Sequence, residues 1–263
     1  LLKTLVGFVK PNRGIIFYNG ESLESSNLKS HVGFASQEGS FYKNLNVNDN
    51  LRYFGRLYGL SKKEREHRIK VLLNTFSLSD ASKTLAGNLS IGMQKRLDIA
   101  CALIHDPQIL LLDEPTANLD PILRKNILNL IKRINEEGKT VIISSHIMND
   151  LTTLCHKVLV LNNKKIVAFD SPKNIEERFS EHKIIKLESE RKDYLGLINN
   201  LYGVSTIKAH KANNSGLILF TKDVKDTLKH INNYYSRNND NLIHIDVVKP
   251  SLELLFDNKY EGI

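Results

Sequence analysis

The chain is 263 residues long, with a net charge of +8, 41% hydrophobic and 25% charged residues, a size that holds one α/β domain and a smaller appendage. No apolar run approaches the roughly 18 residues of a membrane span, and two cysteines, Cys101 and Cys155, are too few and too far apart for a disulfide framework or a zinc site. The positive charge is spread along the chain without a basic block or interleaved aromatics, so it reads as a compositional bias and not as a nucleic-acid surface.

Leu1 to Phe8 has helical periodicity and no small-residue cleavage pattern after it, so it reads as an amphipathic helix and not as a signal peptide. Lys10-Pro11-Asn12-Arg13-Gly14 ends it as a turn cluster. Gly14 to Tyr18 and Val32 to Ala35 read as short strands, and Leu45 to about Ser77 as a helical insertion with a charged face over Lys62 to Glu66. Ser90 is placed to cap a helix running to about Ile104, its oxygen taking a free backbone N–H of the first turn. Gln108 to Leu112 reads as a strand whose apolar run, Ile109 to Leu112, suits burial on both faces of a parallel sheet. Pro121 opens a helix to about Glu137 that Gly138 stops, and Thr140 to Ser144 forms another buried strand. Strand, helix, strand in that order predicts a parallel pair with a crossover helix. Val158 to Leu161 and Lys164 to Phe169 flank Asn162-Asn163 as a hairpin.

Beyond about Ser180 the texture changes, and a domain boundary is predicted near residue 181. Lys183 to Leu187 alternates as a strand, Arg191 to Leu201 reads as a helix, and Val204 to Ala209 and Leu217 to Phe220 as strands. A helix from Val224 to Tyr235, a strand from Leu242 to Val248 and a short helix opened by Pro250 complete the chain. The order βαββαβ is that of a small ferredoxin-like module.

Four fragments outside that module carry chemistry. Asp113 and Glu114 follow the apolar run Ile109-Leu110-Leu111-Leu112, and ligands of open parallel sheets bind beyond the carboxyl ends of the strands. One carboxylate there suits Mg²⁺, which prefers oxygen ligands, and the other suits a water attacking phosphorus. Leu89-Ser90-Ile91-Gly92-Met93 opens a helix, whose free N–H groups and dipole suit an anion, with Gly92 allowing close backbone approach. His146 follows the strand Val141-Ile142-Ile143, and Gln37 follows the strand ending at Ala35. Each fragment alone also has a plain reading: a strand entering a polar loop, a capped amphipathic helix, a solvated histidine, a glutamine without a signal of its own.

In chain order these fragments resemble successive motifs of the ATP-binding cassette (ABC) ATPases: the Q-loop at Gln37, the signature at Leu89 to Gly92, Walker B at Ile109 to Glu114, the D-loop at Asn118-Leu119-Asp120 and the switch histidine at His146. Such order is far more specific than any one motif, and the resemblance covers about residues 1–180, with a helical subdomain at about residues 45–106. It implies an α/β fold with a P-loop NTPase-like core, to which residues 181–263 add the accessory α+β domain. It implies that Asp113 binds Mg²⁺ through water with Gln37 as a further Mg²⁺ and coupling contact. By the same resemblance Glu114 polarises the attacking water and His146 contacts the γ-phosphate of ATP. Cassettes of this family pair head to tail, so Ser90 and Gly92 would serve ATP held by a second ATPase subunit, with Asp120 joining the two sites. Ile91 stands where the commonest signature has Gly, Met93 where it has Gln, and Asn118 where the D-loop often has Gly; Asn tolerates a left-handed backbone.

The phosphate loop GxxxxGK[ST] is absent from the 263 residues. Gly138-Lys139-Thr140 is a decoy, since Arg133 stands where the first Gly belongs and the triplet precedes a strand. Leu1 to Gly7 resembles the helix directly downstream of such a loop, so the missing Lys and Ser/Thr are expected just before residue 1. Leu45 to Leu51, Phe54 to Leu60 and the tail from Pro250 resemble exporter ATPases of the drug, antibiotic and lipid type. That implies separately encoded membrane permease subunits and a peripheral place on the cytoplasmic face of the membrane. A truncated, catalytically silent partner that lends only its signature is the alternative. An ABC protein acting on ribosomes or DNA is disfavoured by the single cassette.

Overall fold

A computed structural model describes the chain except at residues 19, 23–27, 163, 180–182, 203–206, 214–215, 239 and 249–263. It divides into two compact units, Leu1–Asp150 and Leu151–Ile263, so the division falls before the compositional change near residue 181.

The first unit opens with α1 (Leu2–Leu5), shorter than its periodicity. Gly7, at φ +76°, turns the chain left-handed, and the N–H groups of Phe8 and Val9 close the helix end on the Lys3 carbonyl. The strand expected from Gly14 is only β1 (Phe17–Tyr18), paired with β2 (Glu21–Ser22) in an antiparallel hairpin. The helix α2 (Leu28–His31) runs into β3 (Val32–Ala35). The expected insertion splits into α3 (Val47–Leu57) and α4 (Lys62–Thr75). Gly59 breaks it at φ +77°, and Ser61 restarts it with a reciprocal capping box to Glu64.

The helix α5 (Ile91–Ala102) leads to β4 (Ile109–Asp113), then α6 (Pro121–Glu136), β5 (Thr140–Ser144) and α7 (Met148–Leu154). The strands β3, β4 and β5 form a parallel sheet in that order, with Val32 opposite Ile109 and Ile109 opposite Thr140. The central strand buries Leu110, Leu111 and Leu112 almost completely, as its apolar run requires. Gly138, at φ +94°, ends α6. Lys139 then places its Nζ 2.7 Å from Asp106 Oδ1 and 2.9 Å from the Pro107 carbonyl. The Gly-Lys-Thr triplet is therefore a helix stop leading into a strand, with its lysine already committed.

The second unit begins with β6 (Val158–Asn162) and β7 (Lys165–Asp170), an antiparallel hairpin, followed by α8 (Pro172–Phe179). Next come β8 (Lys183–Ser189), α9 (Tyr194–Tyr202), β9 (Ile207–Asn213), β10 (Gly216–Thr221), α10 (Val224–Asn238) and β11 (Leu242–Val248). These four strands form one antiparallel sheet, ordered β11-β8-β10-β9. The sheet face bearing Ile185, Leu187, Leu217 and Leu219 shares a core with Leu197, Leu201 and Ile231 of α9 and α10, the arrangement that βαββαβ order predicts. The helix expected at Pro250, the start of the strand expected from Val204 and Asn163 of the hairpin turn lie outside the described residues. Among the described residues no helix is long and apolar enough to cross a membrane.

Gly33 sets how closely β3 lies against α5. A Cβ at this position would collide with the Ala102 carbonyl oxygen and sit 3.0 Å from Pro107 Cγ. Gly33→Ala is expected to destabilise the first unit by about 1–3 kcal/mol, the usual cost of overpacking. Urea unfolding checks it, and an unchanged midpoint contradicts it.

Candidate active site

Three of the residues singled out by the sequence, Asp113, Glu114 and His146, meet where β4 and β5 end. The ladder of β4 and β5 pairs Asp113 with Ser144, and the chain continues the pairing one step further. The Glu114 N–H donates to the Ser144 carbonyl at 3.1 Å and reaches its Oγ at 3.2 Å. The Ser144 hydroxyl in turn donates to Asp113 Oδ1. One serine therefore orients both carboxyl-bearing residues. Glu114 sits at φ +50°, an uncommon conformation for a residue with a Cβ, and its surroundings hold it there. The left-handed turn sends Glu114 away from the strand direction while Asp113 keeps it.

His146, two residues past β5, places Nδ1 3.0 Å from Glu114 Oε2. The Glu114 side chain is 18% exposed and that of His146 73%, so the pair has a sheltered carboxylate and an open imidazole. A proton on Nδ1 donates to the glutamate and leaves the far ring nitrogen facing outward, the tautomer being set by that partner.

The segment bearing His146 is fastened from behind. Asp150, 5% exposed, accepts a hydrogen bond from the Thr116 hydroxyl at 2.8 Å and from Arg124 Nε at 2.7 Å, with Arg124 Nη2 at 2.6 Å. Thr116 lies two residues beyond Glu114 and Arg124 is in the second turn of α6. A single buried carboxylate thus ties the histidine segment, the carboxylate loop and α6 together.

Gln37 is exposed in the turn after β3, and its carbonyl accepts from Lys95 Nζ at 2.9 Å. Lys95, on α5, escaped the sequence reading. Burial holds its ammonium below the ordinary lysine value, opposed by the charges of Asp98, Glu114 and Asp113. It is thus a half-buried cation facing the carboxylates. Asp98, 2% exposed, accepts from the Ser40 N–H at 2.6 Å. Burial raises its pKa to about 6, against the lowering effects of Ser40 and Lys95. It also lifts the thiol of the neighbouring Cys101, which is pushed well up by burial and by Asp98. The signal for Lys95 and Asp98 is faint: two charged residues three apart on a helix that also carries Gln94 and Arg96.

Ser90, Gly92 and Asp120 lie apart from the Glu114–His146 pair, at the start of two adjacent helices. Ser90 is exposed and caps α5 through its Oγ, which accepts from the Met93 N–H at 3.3 Å. Asp120 caps α6, accepting from the N–H groups of Ile122 and Leu123, both at 2.9 Å. Gly92 is buried, and an added Cβ would lie 3.1 Å from Leu123 Cδ2. Its lack of a side chain lets α5 approach α6, a packing reason beside the expected approach to an anion. Asn118 adopts φ +61°, the left-handed backbone anticipated for it.

Oxygen donors stand side by side at the ends of β4 and β5: the Asp113 carboxylate and the Ser144 hydroxyl. Such donors suit a hard divalent cation. Among the described residues no three of His, Cys, Asp and Glu converge as a metal centre.

Two outcomes follow from this geometry. Between pH 4 and 6 the folded state holds a proton on Asp98 that the unfolded chain, with an ordinary value of 3.8, has released. Stability therefore falls as pH rises through that window, by on the order of 2–3 kcal/mol, and Asp98→Asn flattens the slope; thermal unfolding from pH 4 to 7 reads it. Asp150→Ala is expected to cost about 3 kcal/mol, because Arg124 and Thr116 lose their partner. A denaturant midpoint equal to that of the parent chain would contradict it.

Comparison with known proteins identifies the family of the chain. The ABC transporter family profile matches residues 1–117. The linearmycin resistance ATP-binding protein LnrL of Bacillus subtilis (strain 168) is 29% identical over 269 residues, spanning 98% of this chain and 84% of that protein. The ABC transporter ATP-binding protein NatA of the same organism is 36% identical over 172 residues, covering 64% of this chain and 69% of NatA. A solved structure of an ATP-binding subunit of an ABC transporter superposes with a TM-score of 0.60 at 27% identity, over 68% of this chain and 75% of its own. The chain belongs to the ATP-binding subunits of ABC transporters.

Proposed function

We propose that the chain is the part of a transport ATPase that carries out hydrolysis and presents a signature to a partner's ATP, with residues 1–180 as ATPase domain and 181–263 as accessory domain. The observation that carries the reading is the Glu114–His146 pair at 3.0 Å, beside an Asp113 oriented by the same Ser144 that positions Glu114. Glu114 receives the proton of a water attacking the γ-phosphorus, as the bond from phosphorus to the leaving β,γ-bridging oxygen breaks. His146 holds Glu114 in place and turns its other nitrogen to the γ-phosphate. Asp113 and Gln37 supply oxygen donors for Mg²⁺, which when bound neutralises phosphate charge. Ser90, Gly92 and Asp120, at the open starts of α5 and α6, face a second ATPase subunit.

Drug or antibiotic export is supported by the name of LnrL, a linearmycin resistance protein matched over nearly the whole chain. A docking place for membrane permease subunits is supported by exposed Tyr42, Tyr53 and Leu57. The two tyrosine rings stack edge to face at 4.9 Å a few residues from Gln37, an apolar patch that a partner would cover. Association with permeases places the subunit at the cytoplasmic face of the membrane.

The 263 residues contain no phosphate loop, so by themselves they are expected to hydrolyse no MgATP. Extended by an upstream segment supplying GxxxxGK[ST], they are expected to turn over ATP. Glu114→Gln then abolishes turnover, retains nucleotide and stabilises the dimer, read by phosphate release, nucleotide binding and sedimentation. Hydrolysis by the 263 residues alone would sink the first statement. Loss of nucleotide binding in Glu114→Gln would remove Glu114 from its role at the water.

A further inference from the structure

We propose that Lys95 and Asp98 form an intrachain latch holding the Gln37 segment against the helix opened by the signature, with Lys95 as a positioning residue for Gln37. The inference rests on the roles proposed above for Gln37 and Ser90. Lys95 and Asp98 are three residues apart on α5 and therefore share a face. Both contacts go to backbone groups of one turn: Lys95 Nζ to the Gln37 carbonyl at 2.9 Å, and Asp98 Oδ1 to the Ser40 N–H at 2.6 Å.

That turn follows β3, and its own backbone supplies one closing bond, from the Gly39 N–H to the Ser36 carbonyl at 3.2 Å. Its position relative to the carboxylates is therefore set largely by α5. Lys95 also faces the charges of Glu114 and Asp113, so the same ammonium senses both sides of the cleft. Asp98 is almost fully buried, and a charge-assisted bond in such a place is short and geometrically exacting.

The consequence is mechanical. Ser90 caps α5 and Gly92 lies on its first turn, with Lys95 and Asp98 on the next two turns. A rigid helix joins the half-site offered to a partner's ATP with the glutamine that serves the chain's own. A displacement of the signature drags Gln37, and a pull on the exposed turn tilts the signature. Side-chain replacement at Lys95 breaks this link without touching a reacting group.

The first measurement uses the chain as it stands: hydrogen exchange of the Glu38 to Ser40 amides in the parent, Lys95→Met and Lys95→Arg. Lys95→Met is expected to speed exchange there roughly tenfold while the amides of β4 keep their protection. Lys95→Arg, which still donates to a carbonyl, is expected to restore the parent rates. Unchanged exchange in Lys95→Met overturns the latch, as does a loss of protection spread over the whole first unit, which would make Lys95 a residue of general stability.

The second measurement is a double-mutant cycle on ATP turnover in the chain extended by its phosphate loop, with Gln37→Ala, Lys95→Met and both. Lys95→Met is expected to lower kcat about tenfold or more, with KM for MgATP little changed, as misplacement of a group at a reacting centre does. The double variant is expected to match Gln37→Ala alone, since Lys95 acts through that side chain. Additive losses overturn the proposal. Glu114→Gln in the same assay separates the two readings: if it leaves turnover intact, the hydrolytic site is misassigned, and the exchange result still decides the latch.

Discussion

The hydrogen bonds between Glu114 and Ser144 are the constraint on which the site depends. The parallel pairing of β4 and β5 ends at Asp113 and Ser144, yet the Glu114 N–H still finds the Ser144 carbonyl. Satisfying that donor forces Glu114 into a left-handed conformation, at a cost of order 1–3 kcal/mol that the surrounding packing must supply. The return is geometric. Adjacent residues on a strand point to opposite faces, and the left-handed turn is what allows Asp113 and Glu114 to serve one region.

The neighbouring elements reinforce that turn. Pro115, Thr116 and Ala117 are buried directly after Glu114, so the loop cannot relax outward. Thr116 is pinned by Asp150, which also holds Arg124. Asp150 lies in the first turn of α7, four residues beyond His146, so the lock that stabilises the carboxylate loop also presents the imidazole. Removing a buried carboxylate from such a network costs far more than its net contribution, because its partners remain desolvated.

On the other side of the sheet the constraint is Gly33. The absence of a side chain lets α5 lie against β3 closely enough for Lys95 and Asp98 to reach the Gln37 turn. Gly92 does the same between α5 and α6, where Leu123 fills the space. Two glycines therefore set the position of the helix that carries the signature. One of them stands in a recognisable motif and the other in a strand with no motif at all.

Much of this was legible in the residues themselves. The all-apolar run before Asp113 places a central strand because only double burial suits it, and Ser90, Pro121 and Gly138 mark helix ends through capping chemistry that acts within one turn. The order of the motifs identifies the family, and βαββαβ order gives the accessory sheet its topology. Tertiary structure decided what local chemistry cannot carry. The β1–β2 hairpin shortened an expected strand, and Ser144, Lys95 and Asp98 entered the site. Those three act across 31, 58 and 58 positions of chain. Each looks ordinary beside its sequence neighbours, and its meaning lies in a backbone or carboxylate that only folding brings within hydrogen-bond reach.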